Sequence, residues 1–358
     1  MLWACDKLED HAGRKAAAMR NFLLTLKQFQ AVSPETSSKR TMKTTGGPHG
    51  TWSRGFCHSL IINGLSVFGA LCLSQRAEAA ITFNFTWGPS IPAGDLANVQ
   101  SAVNYAANQI KGSFNDNVTL NITVDGMPGG LGASSAPLLG AYSLLQVTTA
   151  LTNDASSAND FTALAHLPTT DPTGGSNFLM ARGLGKALGL LSGTDAASDG
   201  TFSFGTNNSY TFDPNNRAVS GKYDFIGVAE HELTELMGRV CRENSTGNGW
   251  RPLDLYRFNS SGRSTVYTDT NAWFSFNGTT LLKQFNPNGN GGDLGDWASG
   301  QGNDAFNAFG GTNAQEDMSA VDLQVMDVIG WNAVPEPSAI VTFGLGAAII
   351  CFRKRRRH

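Results

Sequence analysis

The stretch AEHELTELMGR, residues 229–239, decides how the middle of the chain is interpreted. On an α-helix, residues four apart share a face, so His231 and Glu235 point in one direction. A histidine and a carboxylate placed in this way can bind one metal ion, with Glu232 beside a metal-bound water. The HExxE pattern alone is a weak signal, since a solvated helix face with one histidine has the same sequence. The surrounding sequence must decide between these interpretations.

The acidic residues are concentrated in the middle of this 358-residue chain, although its formal net charge is only −3. Residues 80–333 contain 11 Lys and Arg against 23 Asp and Glu, a net charge of −12. Such a surface repels phosphate backbones, so we expect no nucleic-acid partner. The same region has two histidines, His166 and His231, and one cysteine, Cys241. This excludes an internal disulfide and a metal site of three histidines there.

The first 79 residues have the features of an N-terminal extension followed by an export signal. An apolar run at 59–73 follows Arg54 and precedes the tripeptide AEA at 77–79, so we expect the mature chain to begin near Ala80. About fifty residues precede the run, which is long for a signal peptide. We therefore expect translation to begin at Met42 rather than at the first methionine. A buried core helix is the alternative interpretation of the apolar run.

The C-terminal segment 334–358 has three parts: a Val-Pro-Glu-Pro-Ser element, an apolar run at 339–352, and a basic cluster at 353–357. The run is shorter than the ~20 residues that span a bilayer comfortably, and the basic cluster favours a cytoplasmic end. The segment resembles the PEP-CTERM sorting signal of Gram-negative bacteria. This resemblance implies export, transient anchoring in the inner membrane, removal of the tail by a sorting peptidase, and delivery to the cell surface or extracellular matrix. A plain membrane anchor is the alternative.

Alternating and helical patterns predict the fold of residues 80–333. Strands are predicted at 81–85 and 118–124, and the segment from Asp95 to Lys111 between them has a helical apolar face. The other predicted elements are helices at 140–152 and 177–191, strands at 202–204 and 210–212, a helix beginning near Asp224, loops after Gly238, and a helix at 319–329 ending at Gly330. Without a convincing linker, we predict one α+β domain with a mixed sheet, an active-site helix and a C-terminal helix.

The segment 199–239 resembles the metzincin-type zinc proteases, in which a substrate-binding strand runs into a helix carrying His-Glu and then a glycine. Gly238 lies where that glycine is expected, and segment 319–331 resembles the last helix of the superfamily. The resemblance implies a zinc-protease-like mixed sheet, a bound zinc ion and a peptide or protein substrate. It also implies the site residues: His231 and Glu235 as metal ligands, and Glu232 as general base.

The sequence departs from the metzincin pattern HExxHxxGxxH at two of its three histidines. Glu235 and Cys241 occupy the positions of the second and third. Any zinc site must therefore be mixed, and its third ligand stays open. Cys241 has the required spacing and binds zinc as a thiolate, while Asp254 is an oxygen-donating alternative. Packing for the cysteine and a loop cap or ion pair for the aspartate are their other interpretations. We expect His166 to be structural.

A calcium ion is a further expectation for the loop 286–293, whose Asn and Asp side chains are spaced as in a calcium loop. The loop lacks the acidic twelfth residue, because position 297 is Trp, so a plain Gly-Asn turn is the alternative.

Together these features predict an exported zinc-dependent endopeptidase, in which the strand segment 199–213 lines the cleft and pairs with an extended peptide. The alternative is a non-catalytic matrix or adhesion protein on the same scaffold, with a degenerate site. The missing histidines and the sorting tail support that alternative.

Overall fold

The computed structural model describes residues 80–242 and 249–334. The predicted start at Met42, the signal peptide, and the apolar and basic parts of the tail lie outside the described residues. Within the described part, helices and several small sheets combine in an α+β arrangement, which confirms the predicted fold class. No helix among these residues is long and apolar enough to cross a bilayer.

The central sheet contains four strands in the order β1 (Thr82–Trp87), β2 (Thr119–Met127), β6 (Gly200–Gly205) and β3 (Gly132–Ser135). The first three are parallel, and β3 pairs antiparallel with β6 as the terminal strand. Alternate residues of β2 and β6 are buried, as the two-residue period of a strand requires. Because β6 has a partner on each side, β3 rather than β6 has an unpaired edge within this sheet.

The smaller sheets are built from short strands of the remaining chain. They are β4 (Leu138–Tyr142) with β5 (Phe178–Ala181), β7 (Tyr210–Thr211) with β8 (Tyr223–Asp224), and β9 (Arg257–Asn259) between β10 (Gly262–Arg263) and β11 (Trp273–Phe274). The helices are α1 (Leu96–Ser113), α2 (Leu144–Asp154), α3 (Ala158–Ala165), α4 (Arg182–Ala187), α5 (Phe225–Leu236) and α6 (Ala320–Gly330), with a 3₁₀-helix at Pro252–Tyr256.

The helix predicted at 177–191 is wrong in its first part. Residues 178–181 form β5, because Phe178 and Met180 are fully buried and the Leu179 N–H donates to the Trp250 carbonyl. Tertiary pairing overrides local helix propensity here. The helix predicted at 140–152 begins later, after the Ser143 cap, since the residues before it form β4.

An aromatic cluster fixes the start of α5. The ring of Phe225, its first residue, lies 4.8 Å from Phe212, 5.1 Å from Phe204 and 5.2 Å from Tyr210, measured between centroids. Phe225 and Phe204 are buried, so these contacts combine apolar burial with edge-to-face geometry. The helix is thereby docked on the carboxyl end of β6.

Asp224 caps the same end of α5 and is itself buried. Its carboxylate accepts the Ile226 N–H at 3.2 Å and the Nε–H of Arg217 at 2.8 Å. It also accepts the backbone N–H of Glu316 at 3.0 Å. One N-cap residue therefore joins the helix to a distant loop.

The C-terminal end of α5 turns at Gly238, whose φ of +106° is the conformation that glycine adopts without strain. A Cβ there would lie 2.7 Å from the side chain of Leu184. The indole N–H of Trp331, which follows α6, donates to the Met237 carbonyl at 2.9 Å. This hydrogen bond links the end of α5 to the end of α6, the two helices that the metzincin resemblance predicts.

The last described residues are hydrogen-bonded to the chain after α1. Ala333 pairs antiparallel with Phe114, and the Val334 N–H donates to the Ser113 carbonyl at 2.8 Å. The side-chain amide of Asn332 donates to Asp116 at 3.0 Å and to Asp154 at 3.1 Å. The end of the described chain is therefore held on the body of the protein.

Carboxyl groups crowd around this end. Burial, followed by the charge of Asp116, raises the pKa of Asp154 to about 7. Burial also raises the pKa of Asp116 and of Asp327. In the folded protein the protonated form of Asp154 is favoured, so its contribution to stability falls as pH rises from about 4 to 7.

We expect Asp154→Asn to raise the free energy of unfolding at pH 8 by about 1–2 kcal/mol, after allowance for solvent screening. At about pH 3 the effect should be near zero, because the carboxyl is then mostly protonated in both the folded and the unfolded state. Urea denaturation at the two pH values measures the difference. Asp171→Asn, on an exposed loop, is the control, and equal effects of Asp154→Asn at both pH values would contradict the assignment.

Candidate metal centre

Helix α5 is buried along its whole length except at His231, which is partly exposed. Glu232 and Glu235 are 5% and 3% exposed. A solvated helix face therefore does not describe this motif. Buried carboxylates are costly unless a cation or hydrogen bonds offset their desolvation.

The structure brings His231 and Glu235 together with a third residue, Asp296. The Nε2 atom of His231 lies 3.4 Å from Glu235 Oε1 and 3.5 Å from Asp296 Oδ1. All three ligand atoms lie within 4.8 Å of one another. These residues form the only such group of three among the residues that the structure describes.

Asp296 is a candidate ligand that the sequence analysis did not identify, and the loop before it explains its position. The side-chain amides of Asn286 and Asn290 exchange two hydrogen bonds, at 2.9 and 2.7 Å. The Asn286 N–H donates to the Asp296 carbonyl at 2.8 Å. The loop 286–293 is therefore hydrogen-bonded to the backbone of Asp296 and helps to position it. Calcium binding by this loop stays a prediction. In the sequence, the many Asn, Gly and Asp residues of this loop were the one feature that could have pointed to Asp296.

The orientation of the His231 ring suits a metal ligand. Its Nδ1 lies 2.8 Å from the Ala305 carbonyl oxygen, which accepts only, so Nδ1 carries the proton. In the neutral ring Nε2 then presents its lone pair to the two carboxylates. Metal-binding histidines are commonly oriented in this way by their second nitrogen.

Arg239 supplies a buried positive charge beside the two carboxylates. Its Nη1 lies 2.6 Å from Asp296 Oδ1, and its Nη2 lies 3.4 Å from Glu235 Oε1. Its guanidinium carbon lies 4.2 Å from the ring centre of Phe306, and the residue is 0% exposed. Glu235 is incompletely hydrogen-bonded, because its Oε1 has no hydrogen-bond partner in the described structure.

Glu232 lies against the terminal strand β3. A Cβ on Gly132 would lie 2.1 Å from Glu232 Oε1, so the absence of a side chain at 132 makes room for the carboxylate. The other oxygen, Oε2, is buried and has no hydrogen-bond partner in the described part of the chain. The strand and the helix together hold an unpartnered carboxylate oxygen next to His231.

The charges of the cluster shift its pKa values in opposite directions. Burial and the charge of Arg239 lower the pKa of His231, but Asp296 and Glu235 together outweigh them and raise the pKa to about 10. Burial would raise the pKa of Glu235, but His231 and Arg239 lower it to about 2. Burial and then the Glu235 charge raise the pKa of Glu232 well above its usual value. Without a metal ion, the cluster pairs a cationic histidine with an anionic Glu235.

The two third ligands suggested by sequence lie elsewhere. Cys241 is buried, and burial raises the pKa of its thiol. The Asp254 carboxylate accepts the backbone N–H groups of Arg242 and Arg251, which is the loop-cap interpretation. His166 is exposed, and its Nδ1 lies 2.8 Å from the Thr162 carbonyl. None of the three joins His231.

A cleft of about 820 Å³ opens over the cluster. Strand β3 lines one side, and the loops around 291–293 and 305–310 line the other. His231, Glu232, Glu235 and Asp296 all contribute to its lining. His231 is the partly exposed member of the cluster, so the ion site borders the cleft mainly through this residue.

A family model described as the PEP-CTERM protein-sorting motif matches residues 333–357. The motif indicates an exported protein that is sorted to the surface, and it implies recognition of the tail by a sorting system. Neither the comparison with curated proteins nor that with solved structures gives a match. The match covers the tail alone and shows no protease family for the rest of the chain.

Arg239→Gln should reduce the free energy of unfolding by about 3 kcal/mol in chelator-treated protein, because the buried Asp296 loses its closest cation and keeps only His231, at 3.5 Å. Arg182→Gln is the matched control, since its ion pair with Asp195 is partly exposed, and its effect should stay below about 1 kcal/mol. Urea denaturation measures both variants. Equal, small losses would show that the buried pair does not hold the loop.

Proposed function

We propose that the protein is an exported zinc-dependent endopeptidase. The observation that carries this proposal is the convergence of His231, Glu235 and Asp296 at the floor of an open cleft. One histidine with two carboxylates is a zinc-compatible donor set that leaves a fourth position for water or substrate. The proposal keeps the two ligands expected from sequence and adds Asp296 as the third.

The spacing of the three ligand atoms supports zinc. Zinc bonds of 2.0–2.2 Å in tetrahedral geometry separate neighbouring ligand atoms by about 3.4 Å. The distances from His231 Nε2 to the two carboxylate oxygens are 3.4 and 3.5 Å. The missing hydrogen bond of Glu235 Oε1 and the orientation of the His231 ring fit the same ion.

Glu232 is the proposed proton carrier. When bound, zinc would polarise the scissile carbonyl and lower the pKa of an attacking water. Oε2 of Glu232, which is buried and lacks a partner among the described residues, would accept a proton from that water. It would then return the proton to the leaving nitrogen. Gly132 keeps the carboxylate close to the strand that borders the cleft.

Strand β3 is the proposed partner of an extended substrate. The expectation that 199–213 pairs with the peptide fails for β6, because β6 already pairs with β2 and β3. β3 is the terminal strand and also lines the cleft. A peptide added at this edge would gain main-chain hydrogen bonds directly beside Glu232.

The proposed setting follows the sorting motif at 333–357. The protein would be anchored transiently in the inner membrane of a Gram-negative bacterium and then released by a sorting peptidase. It would act at the cell surface or in the extracellular matrix.

A non-catalytic matrix or adhesion protein is the competing function, and the Arg239–Asp296 pair favours it. With Arg239 and a cationic His231, the cluster offsets much of its carboxylate charge without a metal ion. In this case the cleft belongs to a degenerate protease scaffold, and neither zinc nor Glu232 has a catalytic role.

The purified full-length protein should contain near one zinc per chain by elemental mass spectrometry. His231→Ala and Asp296→Ala should lose the metal, because each removes one of three ligands. Cys241→Ala and Asp254→Asn are matched controls that should retain it. Metal retained in Asp296→Ala but lost in Cys241→Ala would overturn the proposed ligand set, and a metal-free wild-type protein supplied with zinc would support the competing function.

Glu232→Gln should lower the rate of peptide hydrolysis by at least about 10²-fold while zinc content and unfolding free energy are retained, because the proton acceptor alone is removed. Quenched fluorescent peptides measure the rate, and a chelator should abolish it in the wild-type protein. Unchanged hydrolysis in the variant would exclude Glu232 as the base.

A further inference from the structure

The cleft over the metal cluster is strongly acidic beyond the cluster itself. Its lining includes five carboxylates, at Glu232, Glu235, Asp293, Asp296 and Glu316. No lysine or arginine lines it among the residues that the structure describes. Carboxylates outnumber the cationic His231 among the described lining residues, and an excess of one sign of charge concentrates ligands of the opposite sign. Three of the carboxylates belong to the proposed chemistry, which leaves Asp293 and Glu316 for another role.

Glu316 is held rigidly and has one oxygen to spare. Its backbone N–H donates to Asp224 at 3.0 Å, and its Oε1 accepts the Gly311 N–H at 3.0 Å. The residue is 7% exposed and lines the cleft. No hydrogen bond in the described part of the chain involves its Oε2. The nearest arginine, Arg217, donates to the Glu316 carbonyl and not to its carboxylate.

Its position along α5 places this carboxylate close to the proposed reaction centre. A Cβ on Gly227 would lie 2.9 Å from the Cβ of Glu316. Gly227 precedes His231 by four residues, so both lie on one face of the helix, about 6 Å apart along its axis. Residues of an extended peptide are about 3.3 Å apart. Glu316 is therefore one or two substrate residues away from the scissile bond.

Two glycines keep Glu316 accessible from the cleft. A Cβ on Gly310 would lie 2.9 Å from Glu316 Oε2, and a Cβ on Gly227 would lie 2.6 Å from the Glu316 carbonyl oxygen. Larger residues at either position would cover or displace the carboxylate. Burial, with a contribution from Asp224, raises the pKa of Glu316 to about 7. A cationic partner would offset this desolvation.

We propose that Glu316 is a specificity-determining residue that receives a lysine or arginine side chain of the substrate, so that the enzyme prefers basic peptide segments. This inference rests on the proposed peptidase function and names its substrate class. The ligand is a cationic side chain because Oε2 is an accessible acceptor in a cleft that no lysine or arginine lines among the described residues. A charge-assisted hydrogen bond between the two groups supplies the selectivity.

Quenched fluorescent peptides of one neutral sequence test this, each with a single lysine placed at one of the four positions on either side of the centre. Matched peptides carry norleucine or glutamate at the same positions. At one position the wild-type protein should cleave the lysine peptide with a kcat/KM at least about tenfold above that of the norleucine peptide. Glu316→Gln keeps an acceptor for the Gly311 N–H and should reduce the ratio of lysine to norleucine cleavage to about one. Glu316→Lys should reverse the preference towards glutamate.

Asp171→Asn is the matched control, because it removes one negative charge from an exposed loop outside the cleft. It should leave the lysine preference unchanged. If it reduces the ratio as much as Glu316→Gln does, the preference comes from net charge, and the assignment to Glu316 is overturned.

The outcomes separate this inference from the proposed function. Equal cleavage of lysine and norleucine peptides by the wild-type protein would overturn the inference and leave the peptidase intact. If no peptide is cleaved, the proposed function fails. Fluorescence anisotropy then measures the binding of the same labelled peptides to the Glu232→Gln variant, which tests the Glu316 site independently of cleavage. Lysine-selective binding that Glu316→Gln removes would support the site, and its absence would reject it.

Discussion

The ion pair between Arg239 and Asp296 is the interaction on which the candidate site depends. The two residues are far apart in sequence, and Asp296 arrives on a loop without regular secondary structure. Desolvating a carboxylate on such a loop is unfavourable unless a cation meets it. Arg239, which follows the end of α5, forms this ion pair with Asp296 and also lies beside Glu235. The pair thus places the third carboxylate over His231 and keeps the loop from leaving the helix.

The rest of the fold serves to keep α5 in place beneath that loop. Asp224 and the Phe225 ring fix its first turn, while Gly238 and the Trp331 indole fix its end. A helix that is buried throughout its length tolerates acidic residues only where they face a cation or a polar cleft. The proposed role of Glu232 and Glu235 at the metal site gives a reason for carboxylates at these buried positions, where apolar residues would stabilise a purely structural helix.

The parts of the fold that were predictable from sequence are those set by local pattern. The opening β1-α1-β2 unit, the helix that begins at Asp224 and the helix after Ser319 each carry a periodic apolar face or a capping residue. β5 was missed because its strand character comes from pairing with β4 and Trp250, which no local window contains.

The same limit applies to the site. His231, Glu232 and Glu235 lie on one helix, where a four-residue spacing fixes their geometry. Asp296 depends on how a glycine-rich loop folds back. Cys241 was a candidate because it has the spacing of the metzincin pattern, and the third ligand stayed open. Glu316 was not identified at all, since its place beside Gly227 results from a hydrogen bond to Asp224.

The antiparallel pairing of Ala333 with Phe114 limits access to the start of the sorting motif. Residues 333 and 334 belong both to the matched sorting motif and to the hydrogen-bonded body of the protein. Under the proposed removal of the tail, a processing enzyme that requires an extended stretch upstream of its cut would compete with this pairing. A cut beyond Val334 would leave the hydrogen bonds of residues 332–334 intact, whereas a cut before it would shorten the segment that holds Asn332 against Asp116. The position of such a cut would therefore decide whether the C-terminal end stays bound to the rest of the domain.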